Sequence, residues 1–353
     1  MNQLDAVNIL SDKNGIHRIG ILRALYLGDM LCIIPTVRAV RAAFPQATIV
    51  LIGLAWEKYF VERFKEYFDD FIEFPGWPGL PEQEIIPDKI VKFLIAMQQQ
   101  PFDLLLQMQG NGIVTNTMCM LFNARYIAGL RVPGEYAPNE KYFPESDDHE
   151  HEILRFLKLV DALGIPRKGT ALEFPILKSE LQNFEAIHQQ LDLLSSKYIC
   201  IHPGARNPLR RWPAANFAAV ANHFAEKGYR IILTGSMEEK SILQDVSDNI
   251  SHPVINIVDK LGHVGIGELA LIMQHSALLI SNDTGVSHVA AALEIPSIII
   301  FSSHSAIERW APLNTSLHRV IEAERASDVN YIIGNVTELL EGNPATSPQY
   351  IPS

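Results

Sequence analysis

Along the chain, short and almost wholly apolar runs alternate with longer segments whose apolar residues recur at helical spacing. HRIGILRA (17–24), ATIVLIG (47–53), DDFIEF (69–74), FDLLLQM (102–108) and RYIAGL (125–130) predict strands. Between the first two, Val37, Val40, Ala43 and Phe44 mark one face of a helix. A second series predicts five more strands: KYICIHPG (197–204), YRIILTG (229–235), PVINIV (253–258), ALLISN (277–282) and PSIIIF (296–301). Strands that are apolar throughout, and separated by helices, fit parallel sheets covered on both faces. The two series echo each other. Ile19 to Gly53 reads strand, glycine loop, alanine-rich helix, Phe-Pro break, strand; Ile199 to Gly235 repeats this with a Lys-Gly break. One long-period echo predicts two similar doubly wound α/β halves and no solenoid.

Between the halves, HEHEILRFLKLVDALGIP (149–166) predicts a helix with an acidic start and a Gly-Ile-Pro stop. RKGTALEFPILKSE then reads as a strand and linker, which sets the expected boundary near 180. The expected domains are 1–180, 181–322 and a polar, irregular segment 323–353. Ligands of such sheets sit in crevices at the C-terminal ends of the strands.

Composition narrows the function. With 48% hydrophobic and 20% charged residues, the chain reads as soluble and globular. A net charge of −11 excludes a sequence-independent nucleic-acid binder, which needs a broad basic face. Cys32, Cys119 and Cys200 form no CxxC pair, so buried free thiols are expected in place of a disulfide or zinc framework. The N-terminus lacks a basic region followed by an apolar core, and no apolar run approaches membrane-spanning length. A cytoplasmic protein is expected, with room for peripheral contact at a membrane face.

Three stretches carry candidate chemistry. In LISNDTGVSHVAAAL a strand runs straight into a helix, with Asp283 at or near the N-cap and Thr284 and Gly285 in the first turn. The unpartnered N–H groups and dipole of a helix start suit a phosphate, although a capping acid alone also explains Asp283. In HPGARNPLRRWPAANF, Arg210 and Arg211 precede Trp212-Pro213 at another strand-to-helix junction, and guanidinium forks suit phosphate oxygens. A solvated surface pair is the other reading of those arginines. In RALYLGDMLCIIP, Gly28-Asp29 opens the first helix of the N-terminal half, and Pro35 is expected to kink or shorten that helix.

Other patterns are discounted. GIGELA (265–270) matches a dinucleotide fingerprint, but its first glycine falls well after the expected strand end. DDHEHE (147–152) reads as a solvated helix start and not as a metal site. No P-loop, GxSxG or HExxH occurs, and no Asp-x-Asp clasp for a divalent metal on a diphosphate.

GDMLCIIPTVRAVRAAFP, IHPGA with RRWP, ILTGSMEE and GELALIMQHSALLISNDTGVSHVAAAL, in this order and spacing, resemble glycosyltransferase family nine over roughly residues 17 to 313. The resemblance implies a GT-B fold, two facing Rossmann-like domains with a cleft between them. It implies an inverting, metal-independent glycosyltransferase of the heptosyltransferase type in lipopolysaccharide biosynthesis, with no cofactor. Its partners would be a nucleotide-diphosphate sugar such as ADP-heptose and a lipopolysaccharide-core or related glycolipid acceptor at the inner membrane face. Asp29 matches the catalytic base, beside Gly28. Arg210, where the family usually has lysine, matches a diphosphate contact; Glu239 or its neighbour Glu238 matches the ribose contact, and Val264 the adenine contact. Asp283, Thr284, Gly285 and His288 match the diphosphate and sugar contacts of DTGxSH. Arg206 and the loop SSHSAIERWAP depart from the family pattern, both in the donor half. NVTELLEG (335–342) is the candidate for a C-terminal helix crossing back to the first domain. Arg38, Arg41, Lys58, Arg63 and Lys65 offer either a surface for an anionic acceptor or a solvated face. A nucleotide-sugar epimerase of the same fold, and a catalytically silent nucleotide-sugar-binding protein, are the alternatives.

Overall fold

The computed structural model of the chain describes Ile9 and residues 15–193 and 195–342. The expectation about the extreme N-terminus, and the last residues of the segment 323–353, lie outside the described residues. The chain divides into two compact units, Met1–Ala171 and Leu172–Ser353, nine residues before the expected boundary at 180.

The first unit runs β1 (Arg18–Leu22), α1 (Leu27–Ala43), β2 (Thr48–Gly53), α2 (Glu57–Arg63), β3 (Asp70–Glu73) and α3 (Pro87–Gln99). It continues with β4 (Phe102–Gln107), α4 (Thr115–Cys119), β5 (Ala124–Gly129) and α5 (Glu152–Ala162). Its sheet is parallel throughout, in the order β3-β2-β1-β4-β5. Ile19 of β1 sits opposite Ile49 of β2 and Leu104 of β4, and all three are fully buried. That double coverage is why the strand sequences are apolar without alternation.

Two local expectations change here. α1 is neither shortened nor stopped by Pro35 but runs through it for 17 residues. The lost N–H bond is offset by burial of Met30, Leu31, Ile33, Ile34, Val37 and Val40, and by packing of α1 on α5. α5 ends as the Gly-Ile-Pro signal implies. Gly164 takes φ +73, its N–H reaches Asp161 O at 2.9 Å, and Ile165 N reaches Val160 O at 2.8 Å. The following RKGTALEF stretch forms no strand; it is irregular up to the next helix.

The second unit runs α6 (Lys178–Leu191), β6 (Tyr198–His202), α7 (Ala214–Glu226), β7 (Arg230–Leu233), α8 (Lys240–Asp248), β8 (Val254–Asn256) and α9 (Ile257–Leu261). It continues with α10 (Ile266–Gln274), β9 (Leu278–Asn282), α11 (Gly285–Ala292), β10 (Ser297–Ile300), α12 (Ile307–Trp310), β11 (His318–Ile321) and α13 (Val329–Gly342). Its parallel sheet has the order β8-β7-β6-β9-β10-β11. PVINIV is a strand only to Asn256, whose side chain accepts from Val258 N at 3.1 Å and turns the rest into α9. The edge strand β11 was not expected, because LHRVIEA carries polar residues on a half-covered edge. The helix expected over 335–342 lies inside α13, which buries Ile332, Val336 and Leu339 and packs on α7 of its own unit.

Each sheet thus reverses direction beside its first strand, between β1 and β4 and between β6 and β9. Loops leaving the C-terminal ends of those strands are where a doubly wound sheet holds its ligand. Among the described residues no helix is long and apolar enough to cross a membrane. Cys32, Cys119 and Cys200 are buried free thiols, as expected.

Candidate active site

In the second unit, β9 ends at Asn282 and the chain turns at once into α11. Asp283 does not cap that helix. Its N–H bonds Ile300 O at 3.1 Å, so it prolongs the β9–β10 ladder, and Thr284 is the N-cap, with Oγ1 accepting from Val286 N at 3.3 Å. Thr284 O also accepts from Ser287 N at 3.1 Å and Ser287 Oγ at 2.7 Å, while Gly285 holds the first helical position. The Asp283 carboxylate is free to take another role, and although 3% exposed it meets Arg210 Nη1 at 3.4 Å. Arg210 is one-third exposed, so its guanidinium both pairs with Asp283 and faces solvent beside the helix start. Arg211 is directed elsewhere, its Nε donating to Ala205 O at 2.9 Å. A groove of about 300 Å³ opens beside these arginines, lined also by Trp212, Asn216, Phe301 and Ser302.

Asn282 locks this corner together. Fully buried, it accepts from Trp212 N at 2.9 Å and donates to Pro203 O at 2.8 Å and Gly204 O at 3.3 Å, joining the end of β9 to the β6–α7 loop. His288, one turn into α11, is buried and meets Trp310 edge to face at 5.9 Å. The end of the divergent 302–312 loop therefore touches a residue of the DTGxSH segment.

Glu239 folds over the β6–α7 loop. Its Oε2 accepts from Ser236 N at 2.9 Å, and its carboxylate lies so close over Gly204 that a side chain there would collide with it. Buried His202 stands behind it with Nε2 4.0 Å from Glu239 Oε2. Burial pushes the His202 imidazole down from its ordinary pKa, opposed by the Glu239 charge. His202 Nδ1 lies 3.1 Å from Thr234 Oγ1, a hydroxyl that also lies 3.3 Å from Ile201 O. Val264 is half-buried just before Gly265, the N-cap of α10.

In the first unit, Gly28 and Asp29 lie in the first turn of α1, with Asp29 one-quarter exposed. Arg23, which leaves β1 and is 1% exposed, donates through Nη2 to Asp29 O at 3.3 Å and stands 3.5 Å from Asp29 Oδ1. It also donates to Met108 O at 2.6 Å and Glu152 Oε1 at 2.8 Å. Glu152 Oε2 takes Arg155 at 3.3 Å, and Arg155 reaches Gly110 O at 3.2 Å. Glu152 was expected to belong to a solvated helix start; it is fully buried, and His151 supplies the cap through Nδ1 to Ile153 N at 3.2 Å. The acid is there because two buried guanidinium groups need it. Arg23, Glu152 and Arg155 form a buried charged network that no sequence motif announces. Its only signal was charge inside otherwise apolar runs. Glu82, whose carboxyl burial raises, and Gln109 complete this edge, joined at 3.1 Å.

The basic residues of α1 do not form an open surface. Arg38 donates to Lys168 O at 2.9 Å and to Ala171 O, and Arg41 to Ala47 O at 2.7 Å and Tyr67 O at 2.9 Å. They tie the chain's own carbonyls. Among the described residues no cluster of His, Cys, Asp and Glu has the geometry of a metal site. The GIGELA segment opens α10 and does not follow a strand directly, since α9 intervenes.

The family model of Glycosyltransferase family 9 (heptosyltransferase) matches residues 90–331. Lipopolysaccharide heptosyltransferase 2 of Salmonella typhimurium is 23% identical over 336 residues, 88% of this chain and 92% of that protein. The solved E. coli ADP-heptose lps heptosyltransferase II superposes with a TM-score of 0.71 at 19% identity, covering 94% of this chain and all of the other. A UDP-GlcNAc 2-epimerase from Neisseria meningitidis superposes with a TM-score of 0.52 at 11% identity, over 93% of this chain and 92% of that one. The fold of the chain is GT-B, built from two Rossmann-like units.

Proposed function

Since the chain belongs to glycosyltransferase family 9, and so transfers a sugar from a nucleotide-sugar donor to an acceptor, we propose that it moves a heptose from ADP-heptose to a hydroxyl of a lipopolysaccharide-core or related glycan. The observation that carries this reading is the corner where Arg210, Asp283 and the Thr284-capped start of α11 meet at the strand-order reversal of the second unit. A partly exposed guanidinium beside a helix N-terminus binds a diphosphate through charge and directed N–H groups together. Glu239, held over Gly204, offers its carboxylate to the ribose hydroxyls, Val264 its backbone to the base, and His288 lies beside the sugar.

The first unit supplies Asp29. The Asp29 carboxylate takes the acceptor hydroxyl proton as the acceptor oxygen bonds the anomeric carbon. The bond from that carbon to the diphosphate breaks, its electron pair leaves with the diphosphate, and configuration inverts. General-base assistance of this kind is typically worth ~10²–10⁴ in rate. Arg210 and the α11 terminus stabilise the charge that grows on the leaving group, so no metal is required. The protein works in the cytoplasm, meeting its glycolipid acceptor at the inner membrane face.

The test is product analysis by mass spectrometry with ADP-heptose, with and without a heptose-accepting core glycan. A heptosylated acceptor, formed equally in EDTA, is the expected result. An isomerised sugar from donor alone selects the epimerase reading, and donor binding without any product selects a silent binding protein. Loss of activity in EDTA that magnesium restores removes the metal-free step.

A further inference from the structure

The loop between β1 and α1 carries Asp29, and a pair of residues from another element grips it. Trp56 Nε1 donates to Leu25 O at 3.1 Å, and Glu57 Oε1 accepts from Leu25 N at 2.9 Å. Both peptide groups of one residue are thus held by adjacent side chains at the start of α2. Leu25 directly precedes Tyr26, the α1 N-cap, whose carbonyl accepts from Met30 N at 2.9 Å. The grip therefore sits next to the first hydrogen bond of the helix that presents Asp29.

We propose that Trp56 and Glu57 are positioning residues, which clamp Leu25 and so fix the place at which α1 presents the Asp29 carboxylate. This rests on the reading of Asp29 as the base.

The surroundings of Glu57 define how it does this. Its side chain is fully buried, and its second oxygen, Oε2, accepts no hydrogen bond. That oxygen occupies a cradle over Gly53, where any side chain would collide with it, and the same would-be Cβ lies 2.9 Å from Arg23 O. The backbone N–H groups of Leu25 and Leu54 favour the ionised form, but a fully buried carboxyl with one oxygen unpartnered is more stable with its proton than without it. Burial raises the Glu57 carboxyl to about 9; the charged groups facing it are Arg23, which opposes the rise, and Asp29, which adds to it. Glu57 therefore grips Leu25 as a neutral acid at ordinary pH and leaves the negative charges beside Arg23 to Asp29 and Glu152. Ionisation of Glu57 puts a second negative charge next to Asp29 and leaves a buried charge with one oxygen unpartnered.

Glu57→Gln separates this role from mere packing, because an amide keeps the acceptor for Leu25 N–H, stays neutral and has no proton to lose. At pH 7.5 its kcat should stay within about twofold of wild type. The wild-type enzyme should lose activity above pH about 9, a limb that Glu57→Gln lacks. Glu57→Ala should lower kcat roughly tenfold or more with little change in donor KM. Should Glu57→Ala fold poorly, Trp56→Phe deletes only the other half of the clamp and should give the same kcat-selective loss. Amide exchange over residues 23–29, read without substrate, should quicken in Glu57→Ala and Trp56→Phe but not in Glu57→Gln. Unchanged exchange in both clamp variants, or an alkaline limb that persists in Glu57→Gln, overturns the proposal. If Asp29→Asn keeps its turnover, the reading of the base fails instead, and the exchange data still decide whether the clamp exists.

Discussion

Replacing Asn282 should cost the second unit more than any other single polar change at the candidate donor corner. Its three hydrogen bonds all go to buried backbone, Trp212 N, Pro203 O and Gly204 O, at 2.9, 2.8 and 3.3 Å. Asn282→Ala leaves at least the Trp212 N–H and the Pro203 carbonyl without partners, at ~1–3 kcal/mol for each orphaned group. About 3 kcal/mol in all is expected once a water recovers part of the loss. For a unit of this size that is a fall of roughly 6–12 °C in its unfolding temperature. Asn282→Asp is the sharper probe. One carboxylate oxygen still accepts from Trp212 N, but the other is set against Pro203 O and Gly204 O. The aspartate is then stable in place only when protonated, so its folded pKa is raised above the unfolded value of about 3.9. Stability present below that value is lost as pH rises through the folded pKa. Asn282→Asp should be at least as damaged as Asn282→Ala at pH 7 and should recover towards pH 4. Thermal and urea unfolding followed by circular dichroism and tryptophan fluorescence checks both, with binding of a nucleoside diphosphate as a second readout. An Asn282→Ala protein within about 1 kcal/mol of wild type, below the cost of a single orphaned group, would refute the reasoning. So would an Asn282→Asp protein indifferent to pH.

The remaining expectations concern charge. Arg210→Ala should weaken binding of a nucleoside diphosphate roughly tenfold or more by calorimetry, as loss of a charge-assisted hydrogen bond requires, with Arg210→Lys intermediate. Glu152→Ala leaves Arg23 and Arg155 without their shared buried acid and should destabilise the first unit by ~3–5 kcal/mol in urea unfolding. Glu57 has a folded pKa raised from 4.5 to about 9. The stability it contributes is therefore full below about 4.5 and falls until about 9, by at most ~1.4 kcal/mol per pH unit. Glu57→Gln should flatten that dependence, and an unchanged pH slope contradicts the neutral acid.

Much of this fold was legible because burial on both faces writes itself into sequence. The ten strands of the two series all exist, from Arg18–Leu22 to Ser297–Ile300, while the one expected in RKGTALEF, outside both series, does not form. β11 escaped because an edge strand needs only one apolar face, and His318 is satisfied by Ser297 at 2.7 Å, a pairing invisible before folding. PVINIV was read too long because a side-chain cap at Asn256 overrides β propensity. At the candidate site the Asn282–Gly285 seam was readable as a helix start, yet the cap shifted by one residue, from Asp283 to Thr284. A local sequence cannot say that Asp283 N–H is already claimed by Ile300 of the neighbouring strand. Arg23, Glu57 and Glu152 were passed over for the same reason. Arg155 apart, the partners named for them lie 6 to 129 residues away in the chain, and the fold has to bring them together.

Turnover of Asp29→Asn with ADP-heptose and a core-glycan acceptor, measured beside its affinity for the donor, tests the central claim most directly. Asparagine keeps the size of the side chain and removes its basicity. Transfer should fall by ~10²–10⁴ while the donor dissociation constant stays within about twofold, because the proposed donor contacts all lie in the second unit. Transfer at the wild-type rate by Asp29→Asn would contradict the account.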